Sequence, residues 1–146
     1  MAGLKEKVIK GSYALLLELP RGERLGVGSL GSIFFSPGSY AYVGSAMNGL
    51  KGRINHHLKT KKRLHWHIDY LEEKATILEV VLFPGPKRLE CLLASDLSRH
   101  FSSIPGFGSS DCHCPSHLFW GEKEILRQTI YQLRDRYAFG FPAGES

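Results

Sequence analysis

Long apolar runs are what this sequence of 146 residues lacks first. No segment approaches the ~20 apolar residues needed to span a bilayer, and the opening MAGLKEKVIKGSY has no continuous apolar stretch of the kind a secretory signal requires. The expectation is a soluble, cytoplasmic protein. Cysteine is scarce as well. Three cysteines, an odd number with two of them one residue apart, make a poor disulfide framework and fit a reducing compartment, so free thiols or metal ligands are expected instead of bridges. Repeats and low-complexity tracts are absent. With 42% apolar and 23% charged residues the composition excludes a disordered chain, and the length supports one domain able to bury its own core.

What is present begins with β-pattern. From Gly11 to Leu19 apolar residues alternate in the manner of a well-buried strand, turned by Pro20-Arg21-Gly22. Short extended pieces follow at Leu25 to Val27 and Ile33 to Phe35, and a stronger strand runs from Tyr40 to Val43, which Gly44 is expected to end. Asn48 to Lys59 has helical spacing, with Leu50, Ile54 and Leu58 on one stripe, Asn48 available as N-cap, and Arg53 and His57 beside the stripe. A helix over His65 to Glu73 leads to a strand over Thr76 to Phe83. A further helix is expected over Lys87 to Phe101, then a loop from Pro105 to Ser116, a short apolar piece at His117 to Trp120, and a last amphipathic helix from Glu122 to Tyr137. The tail Pro142 to Ser146 reads as frayed. Strands as a meander followed by interspersed helices predict an α+β domain: a small, mainly antiparallel sheet flanked by helices.

Three groups of residues carry candidate chemistry. Glu90 projects into the apolar face of its helix, among Leu89, Leu93, Leu97 and Phe101, where a lone carboxylate is costly unless paired, neutralised or metal-bound. The bland alternative is a first-turn residue that gains from the helix dipole and reaches water. The segment Lys51 to Arg63 holds six lysines and arginines, two histidines and no acid. Within the overall charge of +5, this run favours phosphate contact through Lys51, Lys59, Lys61, Lys62 and Arg63, against the plainer reading of a solvated face. Tyr13, Tyr40 and Tyr42 are individually ordinary strand residues, and gain interest only from their company with Arg53, His57 and Glu90. Separately, Cys112, Cys114 and His117 supply three potential Zn²⁺ ligands with Cys91 as a fourth, or simply pack, with Asp111 capping a turn. A thiol nucleophile at Cys114 with His117 as base is a weaker possibility.

Gly11-Ser12-Tyr13, Tyr42-Val43-Gly44, Arg53 and His57 four apart on the next helix, and a glutamate opening a later helix together resemble the GIY-YIG nuclease superfamily, over about Gly11 to Phe101. GSSDCHCPSHL at Gly108 to Leu118 and HWHIDYL at His65 to Leu71 look like an uncharacterised branch of it with a GSSDCxCxSHL motif, whose members occur alone or fused to a base-excision DNA glycosylase. The resemblance implies one domain over residues 1–146, with a core at about 11–101 and a C-terminal elaboration, an extra strand and helix, at about 102–138. It also implies a single-metal phosphodiester hydrolase. Glu90 would hold Mg²⁺ or Mn²⁺, Tyr13 would act as general base, Arg53 would stabilise phosphoryl charge, and Tyr42 would orient Tyr13 or the water. His57 would position phosphate or assist proton transfer, with His65 or His67 contributing from the next helix. The interval from Tyr13 to Tyr42 is long for the superfamily and predicts an inserted loop or hairpin around Gly26 to Gly38. Function then stands between a metal-dependent endonuclease acting on DNA, in repair or beside a repair enzyme, a catalytically silent nucleic-acid-binding module, and a zinc-stabilised interaction domain. No membrane partner is expected.

Overall fold

The computed structural model describes residues 8–110 and 112–138; Asp111 and the tail from Pro142 lie outside the described residues. The chain enters strand β1 (Gly11–Leu19) and returns along β4 (Gly38–Ala46), the two pairing antiparallel over their full length. Between them sits a separate hairpin, β2 (Glu23–Gly26) and β3 (Ser32–Phe35) joined by a 3-10 turn at Gly28–Leu30, so the long interval between Tyr13 and Tyr42 is occupied by an inserted hairpin. Helices α1 (Leu50–Leu58) and α2 (His67–Glu72) precede β5 (Thr76–Pro84), which pairs with the other edge of β1. After α3 (Glu90–Ser98) come β6 (Ser102–Ser103), β7 (Leu118–Gly121) and α4 (Lys123–Ala138). The main sheet has the order β5-β1-β4-β7-β6, every pairing antiparallel, in an α+β fold with a C-terminal helix.

Strand alternation sends β1 side chains to two cores. Tyr13, Leu15, Leu17 and Leu19, with Tyr40 and Tyr42 of β4, meet Leu50 of α1, Ile68 and Leu71 of α2, Phe35 and Phe107 on one face. Ala14 and Leu16, with Ala41 and Val43, meet Leu93 and Leu97 of α3 and Leu126, Ile130 and Leu133 of α4 on the other. The C-terminal strand is integral to this arrangement, since β7 lies along β4 and contributes Leu118 to one core and Phe119 to the other. No helix among the described residues is long and apolar enough to cross a membrane.

Several local expectations change. Gly44 does not end β4, which continues to Ala46. Its role is close approach: it is the register partner of Tyr13, and a Cβ on it would lie 2.5 Å from the Tyr13 hydroxyl oxygen and 2.6 Å from Cζ. Gly49, not Asn48, precedes α1, with φ 128° and no side-chain cap. Leu58 is exposed, at an open groove that it lines with Ile54 and with Val80 and Leu82 of β5, and on α4 Leu126 is buried while Ile125 is in solvent.

Candidate functional site

Tyr13 and Tyr42 lie on the same face of neighbouring strands but are not opposite each other. Tyr42 faces Leu15 while Tyr13 faces Gly44, so the two phenols are diagonal neighbours with ring centroids 6.4 Å apart. Tyr40, also on this face, packs edge-on against Phe35 and donates its hydroxyl to the Ser36 carbonyl at 2.6 Å. It belongs to the core.

The Tyr13 hydroxyl, in the space that Gly44 leaves open, is 2.7 Å from Nε2 of His57. The other ring nitrogen of His57, Nδ1, is 2.8 Å from Oε2 of Glu72, and the second carboxylate oxygen of Glu72 pairs with the Lys62 ammonium. The His57, Glu72 and Lys62 side chains are all at least nine-tenths buried. An ionised carboxylate only accepts hydrogen bonds, so a neutral His57 carries its proton on Nδ1 and presents Nε2 as the acceptor for the Tyr13 O–H. The result is a continuous chain, Lys62 to Glu72 to His57 to Tyr13. Lys62 also donates to the His56 and His57 carbonyls at 3.2 and 3.0 Å, which ties the end of α1 to α2.

Arg53, one turn before His57 on α1, donates to the Ser45 carbonyl at 3.1 Å and has its guanidinium carbon over the Trp66 indole, 4.2 Å from its centre. Its guanidinium is also close enough to Tyr13 to stabilise a phenolate. Burial nonetheless wins, raising the Tyr13 pKa to about 12. Tyr42 is pushed well above the ordinary tyrosine value by burial first, then by the proximity of Tyr13 and Glu90. Glu90 opens α3 on the opposite face of the sheet, with a side chain one-fifth exposed and Arg88 3.4 Å away at its rim. Four-fifths of the side chain is thus covered, and its carboxylate has a cationic partner. The charge of Glu90 reaches Tyr13 and Tyr42 all the same, near the edge of β4 where the pairing with β7 stops at Tyr42 and the next N–H, that of Val43, bonds the His117 carbonyl at 3.1 Å. Ser12 fixes this placement. Its hydroxyl, 2.7 Å from that of Ser45, accepts the Leu89 N–H at 2.8 Å, immediately ahead of Glu90.

The remaining candidates separate. His67 turns away from the tyrosines: its Nδ1 accepts the Gly108 N–H at 2.8 Å, and burial lowers its pKa. His65 stacks edge-on against Trp66. In the basic segment Lys51, Lys59, Lys61 and Arg63 are exposed, whereas Lys62 is enclosed by its pairing with Glu72 and has no open face for a phosphate. Glu72 was not among the candidates of the sequence, nor was Asp69, which binds Nε2 of His56 at 3.0 Å and the backbone N–H groups of His65 and Trp66. A signal for Glu72 existed: it follows Ile68 by four and Leu71 by one, which puts a carboxylate on the apolar side of α2.

Among the described residues, two groups of side chains have the composition of a metal site. His57, Asp69 and Glu72 converge, but Lys62 already pairs with Glu72 and lies 3.9 Å from Asp69, where a cation would sit. In the second, Cys91 from the first turn of α3 meets Cys112, Cys114 and His117 from the loop before β7, with all four ligand atoms within 4.8 Å of one another. Among the described residues no ion pair to a lysine or arginine involves these four side chains, so this cluster is a candidate metal centre.

Comparison with curated proteins and with solved structures gives no match. The family model described as "Domain of unknown function DUF123" matches residues 12–138, from the Ser12 that anchors α3 to the last turn of α4. The chain belongs to that family of unknown function.

Proposed function

We propose that the protein is a GIY-YIG-type, metal-dependent phosphodiesterase that hydrolyses DNA. The observation that carries this reading is the buried Tyr13–His57–Glu72 chain, 2.7 and 2.8 Å link to link, with Arg53 beside its phenol. A domain that only bound nucleic acid would have no use for a carboxylate, an imidazole and a phenol aligned for proton transfer away from solvent.

A phenol with a pKa of about 12 is ionised only to about one part in 10⁵ at neutral pH, so Tyr13 cannot wait as a phenolate. It works by exchange. As water attacks phosphorus, the Tyr13 oxygen takes the water's proton while its own proton passes to Nε2 of His57, and Glu72 stabilises the imidazolium that forms. The new P–O bond forms at the water oxygen, one ester bond breaks, and the departing oxygen takes a proton from solvent. Arg53, held over Trp66, meets the charge that builds on the phosphoryl oxygens. Tyr42 limits the water's position from the diagonal.

The donor set around Glu90 fits a hard divalent cation: one partly exposed carboxylate, whose remaining partners would be water and phosphate oxygens. Mg²⁺ or Mn²⁺ held there would supply Lewis-acid stabilisation of a non-bridging phosphate oxygen. The thiol-rich cluster suits Zn²⁺ and takes no part in these steps.

The test is nicking of supercoiled plasmid, and cleavage of branched and damaged duplexes, in Mg²⁺ and Mn²⁺. Cleavage abolished by Glu90→Ala is the expected result. Salt-dependent DNA binding without turnover on any of these substrates would replace the enzyme with a binding module, whose contacts charge reversal at Lys59, Lys61 and Arg63 would weaken.

A further inference from the structure

A long connection joins β6 to β7, its described residues, 104–110 and 112–117, form no helix or strand, and Phe107 is the main apolar side chain they bury. It is folded back on itself by the Gly106 N–H on the Pro115 carbonyl and the His117 N–H on the Phe107 carbonyl, each at 2.7 Å. A stretch this long is held by something or is mobile. Its three potential ligands, Cys112, Cys114 and His117, gather on the one cysteine outside it.

The geometry can be compared with what a metal demands. Zn–S bonds of about 2.3 Å and a Zn–N bond of about 2.0 Å in a tetrahedron put neighbouring ligand atoms about 3.5 to 3.8 Å apart. Here the Cys112 sulfur and His117 Nε2 are 3.4 Å apart, and no pair in the cluster exceeds 4.8 Å. All four ligand atoms thus lie within about 1 Å of the spacing zinc requires, before any ion draws them in. Simple packing of thiols does not account for this. A packed cysteine is among the most buried of residues, whereas Cys91 is exposed and Cys112 and Cys114 only half-buried, and none is in a disulfide.

We propose that Cys91, Cys112, Cys114 and His117 form a closed, structural zinc centre that locks the loop to the start of α3. Four protein ligands leave no position for water or substrate, which separates this site from a catalytic one. Its position gives it a task. Cys91 follows Glu90 directly, and on the loop side Gly108, at φ 72°, lies so close to the Tyr42 ring that a Cβ would be 3.0 Å from it and 3.3 Å from Cβ of His117. Zinc therefore ties the backbone that carries Glu90 to the loop that packs on Tyr42, across the stretch of β4 that β7 leaves uncovered. Zinc binding stands on this geometry alone; the consequence for Glu90 rests on the nuclease reading above.

Metal analysis of the full chain purified without chelator should find one zinc per chain. Replacement by Co²⁺ should give the intense visible absorption of a tetrahedral thiolate site, with thiolate-to-cobalt charge transfer. Cys112→Ser and Cys91→Ser should each lose the zinc and expose the loop to limited proteolysis. Cys91→Ser, at an exposed position, keeps the test valid if the other variant does not fold. Wild-type protein that is folded with substoichiometric zinc and gives no such cobalt spectrum overturns the site. Zinc-free variants that nick plasmid at the wild-type rate overturn its link to Glu90. Stoichiometric zinc in a protein that cleaves nothing leaves the zinc centre standing and removes the nuclease.

Discussion

Glu72→Gln is the substitution that most directly tests the proton path. Glu72 receives two donors, the Lys62 ammonium and the Nδ1–H of His57, one on each oxygen. Glutamine keeps the shape but has one acceptor and one donor. If its oxygen stays with Lys62, its amide NH₂ faces His57, and the imidazole must move its proton to Nε2 to accept there. Nε2 then donates to Tyr13 and can no longer take the phenol's proton. The expected loss in single-turnover cleavage is therefore on the order of 10²–10⁴, the range that general-base catalysis supplies. Stability should fall less than for a buried ion pair broken outright, about 3–5 kcal/mol, because Lys62 keeps the His56 and His57 carbonyls. A cost of about 2 kcal/mol, from one lost charge-assisted hydrogen bond, is expected in denaturant melts. Nitrogen–proton correlations of the His57 ring read the tautomer without any assay of activity: proton on Nδ1 in the wild type, on Nε2 in the variant. A folded Glu72→Gln protein with the wild-type tautomer and the wild-type cleavage rate would refute the reasoning.

Gly44→Ala should drive a methyl group into the Tyr13 phenol, 2.5 Å from its oxygen, costing about 1–3 kcal/mol in denaturant melts and abolishing nicking through the lost Tyr13–His57 contact. Arg53→Lys keeps the charge but gives up the contact over Trp66 and the planar fork, so cleavage should fall on the order of 10² with DNA affinity nearly unchanged, separable by binding and single-turnover measurements. Melting temperature should fall as the pH drops below 6.5. Burial lowers the folded-state pKa of His67 beneath that unfolded value, so the stability it contributes is full above 6.5 and is lost as pH falls through the folded value and Nδ1 can no longer accept from Gly108. His67→Asn, whose side-chain oxygen can take the same N–H, should flatten that part of the profile.

Alternation in β1 and β4, and the helical spacing of Arg53 and His57, were legible because each follows from a local period. The inserted hairpin was legible as an interval. What escaped the sequence depends on contacts between elements. Gly44 looks like a strand end until Tyr13 is known to lie opposite it. Glu90 looks buried on a helical projection, and four-fifths of its side chain is covered, but the projection could not show that its carboxylate meets Arg88. Glu72 could have been suspected from α2 alone, but its partner His57 lies 15 positions earlier, and no pattern of period 2 or 3.6 connects them. Strand alternation puts Ser12 on the face of β1 opposite Tyr13, and only the structure shows what it does there, which is to hold the residue before Glu90.

Lys62 illustrates why a run of like charges is not one unit. Its neighbours Lys61 and Arg63 face solvent, while its own ammonium turns inward. A buried carboxylate with no other partner would favour the imidazolium form of a histidine beside it, and an imidazolium has two N–H donors and no acceptor. Nε2 of His57 stands as the acceptor toward Tyr13 only while Nδ1 carries the proton given to Glu72. Lys62 offsets the charge of Glu72, so the carboxylate can fix the tautomer of His57 while leaving Nε2 free to accept. The same ammonium fills the space between Glu72 and Asp69 that would otherwise attract a divalent ion away from Glu90. One lysine read from the sequence as a phosphate contact is thus an internal cation, enclosed by its pairing with the carboxylate that holds His57 beside Tyr13.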